Sequence, residues 1–581
     1  MISVSKEYKN ACSSTNRPQS FITAKYGSFD KNIKNNIGKI DSDNKLFCNE
    51  NKLYNEIKST NYNYISCEPD RVKLDGTFYF IDNKLRKNTN ENIAYWSYGM
   101  TDSNGEISNF NQILIDFKTE NKFSEITLYF QELCTDFSVY YFLKNQHFLT
   151  RNITNNNKLI VSTQGVEGET INSNFDKIFI VFKKTEKPYR YIKLNEIDFG
   201  NYQLLNKEIV DLNIIDELSI DSSELSANSL TLSIDNTNGE YDVLNPKNKL
   251  SLLQEKQEIT VYHNLKVGDK FNQIPLGTFL LKEFDVKNQT LEIEAYDDTY
   301  FMNKIYYGSK FYENKEIKFI LQDLFEYFDY TKYKIDEELD NITLTGYIPN
   351  VEFREALRVI AEASCCVVNK TRYGETYIFK TYDPITKDFE RKEILKENPS
   401  RNLFNNVIDL VKYNYTSKEE NVEVFSGELN VGEHLVLLDK LPVLEETINK
   451  LEENSNYEIT KRYATCCVVN VKSKTTVSLK ATLVNTAKSS GYKSKENIKV
   501  ENTDYSIRKV DNKLITNNNA DEVANWKLSR SEIKYNFSTP IMPYIEVGDT
   551  CTYTTRFKTK NTFIPTRLEF SNSIIQYIEG E

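Results

Sequence analysis

The sequence predicts a mainly β, multi-domain chain with α+β segments, and three observations predict it. Between residues 221 and 298, run after run alternates apolar and polar side chains with no helical stretch between them, the period of half-buried strands. Aromatic residues make up 13% of the chain, with 38 Tyr and 33 Phe, a composition that suits pleated surfaces. Helical spacing appears only in short stretches. At 581 residues the chain has room for roughly three to five domains.

Taken in order, Ser3–Ser13 reads as a short helix capped by Ser3 or Ser5, and Gln19–Gly27 as a strand. The Asn/Lys-rich stretch from Ser28 to about Asn63 reads as a loop. Residues 65–200 then hold at least six strand-like segments joined by Asn/Ser/Gly turns, a β-sandwich pattern. In SLTLSIDNTNGEYDVLNP (Ser229–Pro246), Leu230, Leu232 and Ile234 share one face, and Asn236–Gly239 is a turn because Asn and Gly accept positive φ. With Lys256–His263 and Ile274–Asp298 it makes a small antiparallel barrel or sandwich. The period changes in Phe311–Tyr330 and Val351–Lys370, whose apolar residues recur at helical spacing. With the strands Asn341–Asn350, CCVV (Cys365–Val368) and Glu375–Lys380, and the TRYG turn, they form a compact α+β unit. Residues 401–515 return to strands, with Leu444–Asn456 read as a connection carrying a short helix. Asn518–Asn536 is a helix, and Ser538–Thr555 two strands about a Gly548-Asp549 turn.

The net charge of −11 and pI near 5.3 argue against nucleic acid as a partner, which requires a basic field. No window reaches the ~20 apolar residues of a membrane span, and MISVSKEYKNACSS has no apolar core of a secretory signal, so synthesis in the cytoplasm is expected. The nine cysteines include the adjacent pairs Cys365-Cys366 and Cys466-Cys467. Neighbouring strand residues point to opposite faces, so these are read as buried apolar fillers in a reducing compartment. With only His147, His263 and His434 for imidazole and no CxxC, no metal site is expected.

The order IDN-x-x-G-x-Y-x-x-LNP (Ile234–Pro246), IPLGTF (Ile274–Phe279) and IEAYDD (Ile293–Asp298) resembles a domain of bacteriophage tail-tip proteins. The REAL helix (Arg354–Leu357), and the A-x-x-V-A helix with Pro543, Gly548 and Asp549, extend the likeness to tail hub, or baseplate, proteins. LDG, YWS and PYRYIKLNEIDFG (Pro188–Gly200) resemble a segment of tail proteins from phages of Gram-positive hosts and, more loosely, discoidin and galactose-binding jelly-rolls. The resemblance implies a tube-like barrel from residues 1–50 with 201–300, and a jelly-roll-like sandwich inserted at 65–200. A small α+β domain at 301–380 and a second β-rich barrel domain with C-terminal helix and hairpin at 381–581 complete it. It further implies a virion tail or tail-like particle as location, three copies per ring, and the tube, baseplate or tip and tape-measure proteins as partners. For the sandwich it implies a bacterial surface glycan, with Tyr95, Trp96 and Tyr98 as candidate contacts because aromatic faces stack on sugar rings. The bland reading is that Trp96 is a core or inter-sheet residue.

No catalytic set emerges: there is no HExxH, GxSxG or P-loop, and no cofactor is implied. Asp297-Asp298 and Arg354-Glu355 are the only pairs that attract attention. Adjacent strand carboxylates point apart and adjacent helical side chains diverge, so a cation site and an active pair are both disfavoured. Three functions remain in competition: a structural hub joining tail tube to tip, a receptor-binding tip protein holding glycan, and a cell-wall hydrolase. Motif order favours the first.

Overall fold

The computed structural model describes residues 2, 4–14, 17–27, 36–42, 53, 65–72, 94–121, 126–157, 159–163, 174–199, 201–204, 207–239, 241–245, 250, 253–268, 270–287, 289–380, 385–401, 407–495, 507–531, 533–572 and 575–581. The LDG segment at Leu74–Gly76 and Pro246 lie outside them. The chain is mainly β and is built as several sheets with short helices packed against them.

A twelve-stranded sheet is the frame. From one edge its strands run Asn201–Leu204, Ser20–Gly27, Glu258–Val267, Lys270–Val286, Thr290–Tyr296, Ser229–Asp235 and Ile209–Glu217. The last of these pairs with Pro565–Ser571, which continues through Ile575–Gly580 to Ile533–Pro540 and ends on Lys396–Glu397 and Ser400–Arg401. The alternation anticipated for Leu230, Leu232 and Ile234 places all three inward, opposite Ala295, Ile293 and Leu291. Gly239 closes the predicted turn with φ +68° and donates its N–H to Asn236 O at 2.9 Å. One apolar core runs under the whole sheet, from Ile22 and Val261 to Phe537, Phe570 and Ile578. The two ends of the chain thus share a single interior, and strands near residues 210 and 570 meet without any local cue.

The N-terminal helix Lys6–Ser13 docks on this core through Tyr8 and Cys12. Ser5 is its N-cap, its hydroxyl accepting from Tyr8 N at 3.2 Å. Ser5→Ala should lower stability by about 1 kcal/mol, the usual value of such a cap; a thermal melt showing no shift would mean the helix is held by packing alone.

The α+β unit stacks helix Ile317–Tyr327 against helix Phe353–Ala363. Its core is completed by Ile408, Leu410, Val510, Leu514 and helix Ala520–Leu528 from the C-terminal segment. Beyond it, Val407–Leu429 and Thr475–Ser494 form a long antiparallel hairpin. The far half of the hairpin makes a small β unit with Gly432–Leu437, Val443–Lys450, Tyr457–Arg462 and Cys466–Val471, closed around Val424, Val436 and Leu479. Val443–Lys450 is a strand, where a short helix is expected from sequence: it pairs with Thr475–Ser494, and that pairing overrides its charge pattern.

The inserted sandwich has a five-stranded sheet, in the order Ile37–Ser42, Glu106–Asn121, Phe175–Thr185, Cys134–Leu143 and Gln146–Ile153. A four-stranded sheet, Tyr95–Trp96, Lys193–Phe199, Ile126–Phe130 and Ile160–Ser162, faces it. Ile37–Ser42 falls in the stretch expected to be a loop. It is an edge strand with only Ile37 and Ser42 fully buried, so it carries no clear period. The side chains that meet between the two sheets include Ile126, Leu128, Phe137, Val139, Ile178, Ile180 and Phe182. The eight described cysteines are free, and all but Cys67 are buried; Cys67 departs from the filler role by lying exposed in a loop.

Candidate functional site

The loops at one end of the sandwich converge on a cluster of charged side chains. Pro188–Gly200 enters its strand at Lys193, whose side chain turns inward and is almost wholly buried. A lone buried ammonium is costly. Here it meets Glu68 at 2.6 Å, stands 3.6 Å from Glu132, and lies over the Trp96 ring, 4.5 Å from its centroid. Glu68 also accepts from Ser66 Oγ at 2.6 Å and from Tyr191 N at 3.0 Å. Glu132, at the turn after Ile126–Phe130, is reached by Arg71 at 2.5 Å and lies 3.8 Å from Arg190. Arg190 in turn donates to Pro69 O at 2.7 Å.

The cluster is held by tight backbone packing. Thr101 and Arg190 exchange hydrogen bonds, and Thr185 N donates to Gly105 O at 2.9 Å. Gly105 has φ +76°, and a Cβ there would stand 2.5 Å from Thr185 O, so only glycine lets the two loops approach. Above the cluster opens a cleft of about 540 Å³, lined by residues of the 69–71, 131–133 and 185–190 segments together with Asn157 and Leu159.

Of the three aromatic residues singled out in the sequence, the structure puts two inside. Tyr95 is 1% exposed and packs on Phe182 in the sandwich core. Trp96 is 3% exposed and meets Tyr191 edge-on, so its face is given to Lys193 and is closed to solvent. Tyr98, 63% exposed, is the member of the set with surface to offer. The charged residues Glu68, Arg71, Glu132, Arg190 and Lys193 escape a reading of the sequence. No local signal marks them: Lys193 lies between the core residues Ile192 and Leu194 and alternates to the face opposite both.

The other pairs singled out in the sequence are engaged elsewhere. Asp297 accepts from Asn228 N and Thr299 N, both at 2.9 Å, and so caps a short turn. Asp298 takes Lys370 and the Tyr330 hydroxyl. Arg354 pairs with Glu352, whereas Glu355 receives both arms of Arg358, at 2.8 and 2.7 Å. Where the α+β unit meets the C-terminal helix, Lys527 bridges Glu362 at 2.9 Å and Asp221 O at 2.8 Å, and Asp221 receives Arg508 and Arg530. These contacts are joints between elements, with each charge answered by another. Among the described residues no group of three or more His, Cys, Asp or Glu is placed to hold a metal ion, and no helix is long and apolar enough to cross a membrane.

No family model and no curated protein matches the chain. Among solved structures it is similar to the 43 kDa tail protein of prophage MuSo2 from Shewanella oneidensis, at 10% identity over 66% of this chain and 94% of that one, with a TM-score of 0.38. It is similar also to the tail protein from Neisseria meningitidis MC58, at 9% identity over 65% and 93%, with a TM-score of 0.38. A third is prophage tail protein gp18 from Listeria monocytogenes EGD-e, at 10% identity over 65% and 90%, with a TM-score of 0.34.

Proposed function

We propose that the chain is a structural component of a phage tail or tail-like particle, a hub or baseplate protein joining tail tube to tail tip. The observation that carries this reading is the twelve-stranded sheet. Its terminal strands, Asn201–Leu204 at one end and Lys396–Glu397 with Ser400–Arg401 at the other, pair on one side only among the described residues. Open strand edges are usually suppressed because they invite pairing with another chain. Two unlike edges on one protomer support head-to-tail contacts that close into a ring. The motif order along the chain supports the same reading, with Ser20–Gly27 and residues 201–300 as one tube-like unit and 381–581 supplying the other; Ile37–Ser42, expected in the first unit, pairs into the sandwich instead.

On this reading three copies form the ring, and the tube, tip and tape-measure proteins are its neighbours. Native mass spectrometry of the purified chain, alone and with the tube protein of the same particle, tests it. A trimer, or a trimer on the tube, is expected. A chain that stays monomeric in both mixtures and is missing from purified tails would overturn the proposal.

A further inference from the structure

We propose that Lys370 and Asp298 condense to an intramolecular amide, a covalent tie between the large sheet and the α+β unit. This goes beyond the role in tail assembly and does not depend on it. Asp298 follows strand Thr290–Tyr296 of the large sheet, and Lys370 ends strand Val367–Lys370 of the α+β unit. The Lys370 side chain is 5% exposed and lies in direct contact with Asp298 Oδ1. Two hydroxyls fix the amine: Nζ donates to Tyr330 Oη at 2.7 Å and to Thr376 Oγ1 at 2.6 Å. Tyr330 Oη donates in turn to Asp298 Oδ2 at 2.9 Å. One hydroxyl thus touches both the nucleophile and the carboxyl it would attack.

As an ion pair this arrangement is poorly served. Asp298 Oδ1 is buried and makes no hydrogen bond, an omission that costs more on a carboxylate than on a neutral amide. Removing both charges also removes the desolvation penalty of a buried pair. Burial, with the Lys332 charge, holds the Lys370 ammonium below its ordinary 10.5 although Asp298 and Asp297 oppose it, which favours the free amine that attack requires. Tyr330 first passes a proton from Nζ to Oδ2, leaving an amine beside a carboxylic acid. Nζ then bonds to the carboxyl carbon, and Tyr330 carries a second proton from nitrogen to Oδ2. The C–Oδ2 bond breaks, that oxygen departs as water, and Oδ1 remains as the amide carbonyl. Nothing is oxidised or reduced, and no co-reactant enters. The new N–H keeps Thr376 Oγ1 as its acceptor. The Asp298 side chain is 24% exposed, which gives the water a way out.

The test is intact-mass spectrometry of the purified full-length chain, with tandem mass spectrometry of its proteolytic peptides. The expected result is a chain lighter than its 581 residues by one water, and a branched peptide joining Lys370 to Asp298. Asp298→Asn presents the same carbonyl with ammonia as the leaving group, so it should give the same branched peptide and the same final mass. Asp298→Ala should keep its full mass. Tyr330→Phe keeps the ring, removes the relay and should slow the step about a hundredfold, leaving freshly purified protein folded by circular dichroism and at full mass. An unaltered chain at full mass, with Lys370 and Asp298 recovered only in linear peptides, would overturn the proposal. So would a bond that forms as completely in Tyr330→Phe as in the unaltered chain. The tie lies within one chain, so it is read from the monomer and is independent of whether a ring forms.

Discussion

Arg372→Met should lower the free energy of unfolding by about 3–5 kcal/mol, the cost of breaking a buried charge pair from one side. Arg372 sits in the TRYG turn, where Gly374 N closes on Thr371 O at 2.8 Å, and only 2% of it is exposed. From that turn in the α+β unit it reaches three other segments. Its Nη2 donates to Ile545 O at 2.6 Å, its Nη1 to Leu276 O at 3.4 Å, and its guanidinium lies over the Phe570 ring at 4.8 Å. Asp216 stands 3.8 Å away. Methionine fills the space but leaves two carbonyls and a carboxylate with nothing in return, each an expensive omission in the interior. Arg372→Lys keeps the charge and loses the fork, so an intermediate loss is expected. Denaturant unfolding followed by tryptophan fluorescence measures both; a loss under about 1 kcal/mol for Met would show that the aromatic and aliphatic packing, not the guanidinium, holds these segments together.

That joint marks the limit of what sequence can reveal. The strands around Leu230, Leu232 and Ile234, the Asn236–Gly239 turn and the helices Ile317–Tyr327, Phe353–Ala363 and Ala520–Leu528 are written in local periodicity, although the stretches read as helical, Phe311–Tyr330 and Asn518–Asn536, also take in strand Tyr312–Glu316 and the start of strand Ile533–Pro540. Their assembly is not local. Arg567 reaches Glu217 across 350 positions of chain, and nothing in either neighbourhood announces the other. Ile37–Ser42 escapes because an edge strand with one poorly buried face shows no period, and Val443–Lys450 because Glu445, Glu446 and Lys450 mimic a solvated helix. At the sandwich cleft, Trp96 is conspicuous as an aromatic residue, but its partner Lys193 is not. A lysine in a strand is read as solvated, and only the arrival of Glu68 and Glu132 from other segments makes its burial tolerable.

The protein should also become more stable as the pH falls from about 7.5 to 5, the reverse of ordinary acid denaturation. Burial pushes Asp216 up to about 7 despite the Arg372 charge, and pushes Asp297 and Asp549 each up to about 6, from an ordinary value of 3.8. A raised carboxyl holds its proton in the folded chain at a pH where the unfolded chain has released it, so folding is favoured as protons become available. His263 acts in the opposite sense: burial, and then the Arg17 charge, lower it from 6.5 to about 3, so the unfolded chain takes up that proton first. Three groups against one leave a net gain for the folded state between pH 6 and 4.5. Each net proton contributes about 1.4 kcal/mol per pH unit, so a rise on the order of 3 kcal/mol is expected. Below that window the balance reverses. Burial would raise Glu362, but the Lys527 and Arg358 charges outweigh it and hold the group below its ordinary 4.5, so its contribution is lost as pH falls through the folded-state value. Thermal melts from pH 7.5 to 3.5 should therefore pass through a maximum near pH 4.5. Asp216→Asn, which cannot titrate, should shrink the rise between pH 7.5 and 5. A melting temperature that is flat or falling over that interval in the unaltered chain would mean these carboxyls are solvated, and that the joint around Arg372 is open to water.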